Sequence, residues 1–299
     1  MSDQNNIEAP ANSAGASMLS SEPYVDPLRV ALVQRRARRN VGISSAATIV
    51  VLIAVVVAIL LLPGWKTVQQ QFFSWANFKG SFPTVLAGLW LNIRLFIVAE
   101  ILILLLSLGI ALIRLSKSAV MTPFRALATL YVDIFRGTPT LLVVLLLGFG
   151  VPQMRLPGVP NSATFWGLVA LVLSYSAYVS EVFRAGITSV HPAQEAAAFT
   201  LGLNRWQTMR HVVLPQAVRR VVPPLLNDFA SLQKDTALVS VLGPPEALRN
   251  AQVYADLNFN YTSLVVAALL FIALSLPVAR FTDRLMAKQR NKTSAGGTL

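Results

Sequence analysis

The chain has 299 residues, of which 55% are apolar and only 13% are charged. Because soluble domains carry about 25% charged residues, this composition excludes a large soluble protein with a polar surface. The mean hydropathy of +0.59 instead indicates an integral membrane protein. The formal net charge of +12 therefore has to be placed relative to membrane spans before it is taken as a sign of nucleic-acid binding.

Two residue types that carry much enzyme chemistry are scarce. The chain has no cysteine, which excludes disulfides, thiolate metal sites and cysteine nucleophiles. Its two histidines, His191 and His211, are too few for a histidine-based metal centre. We therefore predict no catalytic residue and no metal site. Because nucleic-acid binders carry their basic residues on a polar surface and this chain has little, we also predict no nucleic-acid partner.

Four stretches with at most one charge are long enough to cross the hydrocarbon, which takes about 20 apolar residues. They are residues 41–62, 95–113, 162–180 and 257–279. The first is too long for the apolar part of a signal peptide and begins far into the chain. The polar residues 1–40 before it are predicted to be a disordered cytoplasmic tail.

Two further stretches, residues 126–153 and 211–242, are long enough but interrupted. The first contains Gly137 and Pro139, and the second contains the pair Pro223-Pro224. A break facing lipid would leave backbone groups without hydrogen bonds, so both breaks are expected beside protein or a water-filled cavity. The sequence therefore predicts an all-α membrane protein with six transmembrane helices.

The basic residues predict the orientation. With the N-terminus inside, 18 of the 25 lysines and arginines fall in cytoplasmic segments. The predicted external loops keep four, which are Lys66, Lys79, Arg155 and Arg249. Because cytoplasmic loops are enriched in Lys and Arg, both termini are predicted to be cytoplasmic.

The loop after the fourth predicted span has a strong local pattern. Pro192 suits the first position of a helix, and Gly202 suits a left-handed stop. A second helix is predicted to start at Asn204 as its cap. Apolar side chains at Leu201, Leu203 and Trp206 could lie in the groove of a partner.

Several motifs occur in order around this loop. They are DIFRGTPT at residues 133–140, AYVSEVFRAGI at 177–187, Glu195-Ala196-Ala197 followed by Gly202, LPQA at 214–217, PPLLND at 223–228 and KDTAL at 234–238. Together they resemble the permease subunits of bacterial ABC importers, of the polar amino acid type that carries histidine, glutamine or glutamate. The resemblance covers about residues 85–285.

The resemblance implies a type I importer permease core of five helices in residues 90–285. An additional transmembrane helix at 41–63 and an external linker at 64–89 would precede it, and a cytoplasmic tail at 286–299 would follow. It also implies that loop 188–208 docks on an ATP-binding subunit. The docking residues would be Glu195, Ala196, Ala197, Leu201, Gly202, Leu203 and Trp206.

The implied partners are a second permease chain, two ATP-binding subunits and an external amino-acid-binding protein, within the lipid of the bacterial plasma membrane. The chain lacks a phosphate-binding G-x-x-x-x-G-K-[ST] motif, so ATP and Mg²⁺ are expected on the partner and no cofactor on this chain. The expected cargo is a polar amino acid, with glutamate, aspartate or glutamine favoured. The alternative is an ion-coupled secondary transporter that acts alone, because broken spans with ionisable residues are typical of such proteins too.

Ionisable groups inside spans are costly, and they are the candidates for the substrate pathway. The candidates are Asp133, Arg136, Thr138, Tyr178, Glu181, Lys234, Asp235 and Thr236. A helix that restarts near Thr138 would offer free N–H groups to a carboxylate. In the other interpretation, Asp133 and Arg136 pair with each other and only stabilise the bend.

Two more pairings are open at this stage. Glu181 and Arg184 are three residues apart, which suits either an ion pair at the membrane interface or a gate. Lys234 and Asp235 contact a ligand in one interpretation. In the other, these residues pair with Asp228 or Glu181.

Overall fold

The computed structural model describes residue 44 and residues 46–295, and each element in that part of the chain is a helix. The chain divides into two compact units, Met1–Trp65 and Lys66–Leu299. In the first unit, helix α1 covers the apolar segment Ala46–Leu60. The predicted tail at residues 1–40 and the start of the predicted span at 41–43 lie outside the described residues.

Ten α-helices follow α1. They are α2 (Trp65–Phe72), α3 (Trp75–Leu115), α4 (Thr122–Gly137), α5 (Thr140–Gln153), α6 (Ala163–Thr188), α7 (Pro192–Thr200), α8 (Arg205–Thr208), α9 (Leu214–Asp235), α10 (Ala247–Asn258) and α11 (Thr262–Ala295). A π-helical turn, Met209–Val213, precedes α9, and a 3-10 segment, Thr236–Leu242, follows it. The predicted linker at 64–89 thus consists of α2 and the first part of α3, while the predicted C-terminal tail is helical as far as Ala295.

The predicted count of six spans is not confirmed. Three segments are long and apolar enough to cross a membrane, namely Trp65–Leu115, α6 and Thr262–Ala287. The pair Ala119–Gly137 and Thr140–Gln153 passes the same criteria together, but it is bent by 104°. Helix α1 is too short within the described residues. Helix α9 is not among the segments that meet these criteria, and five charged side chains lie along it.

The irregular points differ from the predictions in two places. The bend between Gly137 and Thr140 is confirmed, since α4 ends and α5 begins there. Helix α9, however, continues through Pro223 and Pro224, and its irregular turns lie at its two ends instead. The last span begins at Thr262 rather than residue 257, because the left-handed Phe259 (φ +49°) interrupts the helix.

Helix α6 forms the centre of the core. Its buried residues, among them Leu171 and Val179, pack with Ile103 of α3, Val144 of α5 and Leu232 of α9. Because lipid tails are as apolar as these side chains, van der Waals packing rather than the hydrophobic effect stabilises such contacts between membrane helices. A second cluster joins the first half of α3 to α10 and α11. The helix bundle is therefore held at two levels along α3.

Gly88 provides a test of the contact between α3 and α10. A Cβ atom at this position would lie 2.5 Å from the carbonyl carbon of Glu246 and 2.6 Å from the amide nitrogen of Ala247. We expect Gly88→Ala to lower the thermal unfolding midpoint in detergent, with a cost of about 1–3 kcal/mol for overpacking. The matched control is Gly109→Ala in the same helix, where a Cβ atom meets nothing within 4 Å. Equal midpoints for the two variants would contradict the close approach.

Candidate functional site

The loop between α6 and α9 is built from strong local signals. His191 is the N-cap of α7, and its Nδ1 accepts a hydrogen bond from the Ala193 amide (3.2 Å), with Pro192 as the first helical residue. Gly202 follows α7 with a φ of +80°, which favours glycine. The cap of α8 is confirmed, since Asn204 and Gln207 bond reciprocally at 2.9 Å. The loop conformation therefore agrees with the sequence prediction.

The outer surface of this loop is apolar. Leu201 is 82% exposed, Trp206 is 69% exposed and Phe199 is 46% exposed. Glu195, Ala196 and Ala197 are exposed beside them, while Leu203 is half-buried. An exposed apolar patch of this kind, away from the spans, is typical of a protein interface.

A buried apolar cluster and one hydrogen bond hold the loop against the helix bundle. Val190, Val213 and Ala217 form a small buried cluster under it. On the same side, the Arg220 guanidinium of α9 donates a hydrogen bond to the carbonyl oxygen of Ser189, at the C-terminal end of α6. This bond satisfies one of the carbonyl groups that every helix end leaves free. The loop thus has contacts with both α6 and α9.

A cleft of about 590 Å³ lies where α4, α6 and α9 meet, next to the loop. Its polar lining residues are Arg136, Tyr178, Glu181, Ser189, Arg220 and Asp228. The Oδ2 atom of Asp228 is buried and has no hydrogen-bond partner among the described residues. An unpaired buried acceptor is costly, so this oxygen is a candidate contact for a hydrogen-bond donor on a ligand.

Glu181 is the centre of the charge arrangement. Its carboxylate binds the guanidinium of Arg114, accepts two hydrogen bonds from Arg184 (Nε 2.9 Å, Nη2 2.7 Å) and lies 3.9 Å from Nη1 of Arg136. The predicted Glu181–Arg184 ion pair is confirmed. The predicted pairing of Asp133 with Arg136 is wrong, because Arg136 reaches across to α6. The exposed Asp133 forms no ion pair within the described residues.

The tyrosine predicted for the pathway contacts the same arginine. The Tyr178 hydroxyl donates to the carbonyl oxygen of Arg136 (3.2 Å), and the guanidinium carbon lies 6.0 Å from the centre of the Tyr178 ring. This distance is the outer limit for a cation–π contact. Thr138 instead donates to the Ile134 carbonyl oxygen (2.8 Å). Neither Thr138 nor the first residues of α5 line the cleft, so the structure does not bring the restarting helix to it.

The other candidates for the substrate pathway, Lys234, Asp235 and Thr236, do not line the cleft. Lys234 is exposed and pairs with neither Asp228 nor Glu181 in the described part of the chain. The Asp235 carboxylate accepts a hydrogen bond from the Tyr175 hydroxyl (2.7 Å). Thr236 is fully buried. These three residues belong to the end of α9 away from the cleft.

Sequence reasoning missed Arg220 as a cleft residue and weighed Asp228 only as a pairing partner. Arg220, Pro224 and Asp228 follow one another at intervals of four on α9 and all line the cleft. Residues at such intervals share one face of a helix. This spacing could have identified the shared face from the sequence, but it does not show which helix that face contacts.

The comparisons with known proteins agree on one class of protein. Residues 110–291 match the family described as the inner membrane component of binding-protein-dependent transport systems. The probable amino-acid ABC transporter permease protein YckA of Bacillus subtilis is 35% identical over 70% of this chain and 90% of its own length. The arginine transport system permease protein ArtQ of the same organism is 34% identical over 65% of this chain and 87% of its own length. A crystal structure of an amino acid ABC transporter with histidines is 31% identical, with a TM-score of 0.63 over 69% of this chain and 94% of that one.

The charge cluster at Glu181 gives a stability prediction. Glu181→Gln leaves Arg114, whose side chain is only 12% exposed, without its carboxylate. We expect a loss of about 3 kcal/mol in the free energy of unfolding, as for other buried ion pairs that lose one partner. The measurement is unfolding in detergent, with Asp133→Asn as the control. In a double-mutant cycle, Glu181→Gln with Arg114→Gln should cost less than the sum of the single changes. An additive result would contradict the direct pair.

Proposed function

Because this chain belongs to the binding-protein-dependent transport system inner membrane components and resembles amino-acid ABC transporter permeases, we propose that it carries a polar amino acid into the cell. It is a multi-pass inner membrane protein and a transport subunit, and its family works with partner proteins that hydrolyse ATP. In our proposal both termini are cytoplasmic. One observation carries the proposal: an exposed apolar loop directly adjoins a charged cleft at the end of α6.

The loop at residues 188–208 would be the docking site for an ATP-binding subunit. Leu201 and Trp206 are large, exposed and held by capped helices, which suits residues that fill pockets of a partner. The small Ala196 and Ala197 would permit close approach, with Glu195, Gly202 and Leu203 fixing the shape of the contact. Two such subunits would act on two permease chains, this one and a second that is identical or related. ATP and Mg²⁺ would be bound by the ATPase and no cofactor by this chain.

The cleft would be part of the substrate pathway. Arg136 offers positive charge to a carboxylate, with the Tyr178 ring beside it, while the unpaired Asp228 oxygen suits an ammonium group. A free amino acid carries both groups at neutral pH. Glutamate, aspartate or glutamine is the cargo that we favour. In this proposal Glu181 orients Arg136, and Asp133 and Thr138 shape the bend next to it. Lys234, Asp235 and Thr236 shape the far end of α9.

Transport would follow from two states of the assembly. ATP shifts the equilibrium between them only by the difference in its affinity for each state. Closure of the ATPase subunits would draw the docking loops together, and α6 would carry this motion to the cleft because it continues into the loop. A binding protein outside would deliver the amino acid. The ion-coupled secondary transporter is not favoured, and ion-driven uptake by this chain alone in liposomes would restore it.

The docking proposal predicts that loop variants bind the ATP-binding subunit less tightly but still insert into the membrane. Leu201→Asp and Trp206→Ala should each weaken co-purification of the ATP-binding subunit by about tenfold or more, as at other interface hot spots. Glu195→Lys should act in the same direction. Membrane insertion should stay unchanged, since these side chains are exposed. Leu156→Asp, in a predicted external loop and 48% exposed, is the matched control. Wild-type co-purification with the loop variants would exclude this surface.

The cleft proposal predicts a change in apparent affinity. Arg136→Ala and Asp228→Asn should each raise the apparent KM for ATP-driven uptake by about tenfold, the effect of one lost charge-assisted hydrogen bond. Arg136→Lys should be milder because it keeps the charge. Lys79→Ala, on an exposed lysine of α3, is the control. An unchanged KM with a lower unfolding midpoint would show that Arg136 only stabilises the bend.

A further inference from the structure

Glu246 is an unusual residue for its surroundings. Among the charged side chains of residues 46–287, it is the only one that is fully buried, with no exposed surface. It lies between the 3-10 segment and α10, and no basic group is within 4 Å of it in the described part of the chain. A buried carboxylate without a counter-ion needs hydrogen bonds to remain in place.

Three donors supply these bonds. Oε1 accepts from the Arg249 amide (2.6 Å), while Oε2 accepts from the Leu248 amide (3.1 Å) and from Nδ2 of Asn92 (2.9 Å). Burial raises the pKa of the Glu246 carboxyl, against the opposing effect of these hydrogen bonds. Glu246 thus caps α10 and at the same time binds a side chain of α3. Its contacts use it only as an acceptor.

Asn92 extends this contact to a third element. Its Oδ1 accepts from the Ala247 amide (3.0 Å), and its Nδ2 also donates to the Thr236 hydroxyl (3.2 Å). Thr236 begins the 3-10 segment that continues α9. We call Asn92, Thr236, Glu246 and Ala247 the Asn92 junction. It joins α3, the end of α9 and the start of α10.

The 3-10 segment is also seated against the core. A Cβ atom on Gly167 of α6 would lie 2.7 Å from Cγ1 of Val239, and the side chain of Leu242 packs on Gly148 of α5. The segment therefore has little freedom to move without α5 and α6. Helix α9, which begins this chain of contacts, lines the cleft at its other end through Arg220 and Asp228.

We propose that Glu246 is a positioning residue for transport: through Asn92 it holds Thr236 on α3, so that α10 and the cleft-lining helix α9 move together. This inference rests on the proposed function, in which α10 lies on the external side and α9 reaches the cytoplasmic cleft. A movement of α10 caused by the external binding protein would pass through the Asn92 junction to α9. Glu246 would not touch the amino acid itself.

The donor and acceptor pattern gives a sharp test. Glu246→Gln presents an amide donor to groups that are donors themselves. Asn92→Asp places a new carboxylate against the carboxylate of Glu246. The double variant exchanges donor and acceptor between the two positions, because the new amide at 246 can donate to the new carboxylate at 92. The Thr236 hydroxyl, which donates to the Gln233 carbonyl oxygen (2.9 Å), can turn to donate to the same carboxylate, so the contact with Thr236 is kept. Asn250→Asp is the control, since the Asn250 side chain bonds α10 to the Thr84 carbonyl oxygen of α3 (2.9 Å) without involving Thr236.

The experiment uses the complete assembly in proteoliposomes, with the ATPase subunits and the amino-acid-binding protein. The readouts are basal ATPase, ATPase stimulated by the loaded binding protein, and KM and maximal rate of uptake. Each single variant should lower the stimulation and the maximal rate by about tenfold, with KM and basal ATPase near wild type. The double variant should recover to within about threefold of wild type, and Asn250→Asp should behave like wild type.

Four results would overturn the inference. In the first, the single variants keep wild-type stimulation. In the second, basal and stimulated ATPase fall in the same proportion, as loss of folded protein would cause. In the third, Asn250→Asp has the same effect as the junction variants. In the fourth, the swapped pair is no better than the single variants, and this outcome decides the matter if the single variants do not assemble. A wild-type assembly without stimulation by the binding protein would instead refute the proposed function, and the inference with it.

Discussion

The low dielectric of the spans is the constraint on which this structure depends, since a charge there needs an opposite charge or several hydrogen bonds. Glu181 satisfies that constraint for three arginines at once. Arg114 comes from the end of α3, Arg136 from the end of α4 and Arg184 from α6 itself. One carboxylate therefore fixes the ends of three helices at the level where the cleft opens. The cleft has its charged lining because the pairing that stabilises the bundle takes place on its wall.

Helix α6 connects this cluster to the proposed docking loop, residues 188–208, with little intervening chain. It runs from the core through Glu181 to Thr188, and α7 begins at Pro192. The Arg220 bond to Ser189 adds α9 at the same point. A force on the loop would thus act on both walls of the cleft. In our proposal, this arrangement lets a short loop transmit the motion of a partner to the bundle.

The features that the sequence predicted correctly are those that local chemistry decides. The caps at Pro192, Gly202 and Asn204 and the bend at Gly137 depend on neighbouring residues, and the family resemblance rests on such short motifs. The family match confirms that resemblance. The partner of Arg136 was predicted wrongly because an ion pair between helices depends on their packing. The sequence around Arg136 does not show that it pairs with the distant Glu181 rather than with its neighbour Asp133.

Burial was equally hard to predict. Glu246 stands in a short polar stretch that suggests an exposed loop, yet Asn92, 154 positions earlier in the chain, encloses it. The count of six spans stays unconfirmed for a related reason. Two charged residues of α9, Arg220 and Asp228, line a cleft that only the tertiary structure creates, so apolarity along the sequence does not decide whether α9 is a span. Helix boundaries such as Phe259 depend on contacts between α2 and the turn before α11, including the bond from Asn260 to the Gln70 carbonyl oxygen (2.8 Å).

The two ends of α9 are held in physically different ways, and this difference bears on how the bundle can move. At the end of α9 that we propose to be cytoplasmic, Arg220 donates one exposed hydrogen bond to Ser189. Water competes for such a bond. At the other end, Thr236 is buried and bonded to Asn92, which is itself held by Glu246 and Ala247. Opening the buried end would leave several polar groups without partners, whereas opening the exposed end would leave none. A motion of α9 relative to α6 therefore costs least at the end next to the proposed docking loop, which is where a partner ATPase acts in our proposal.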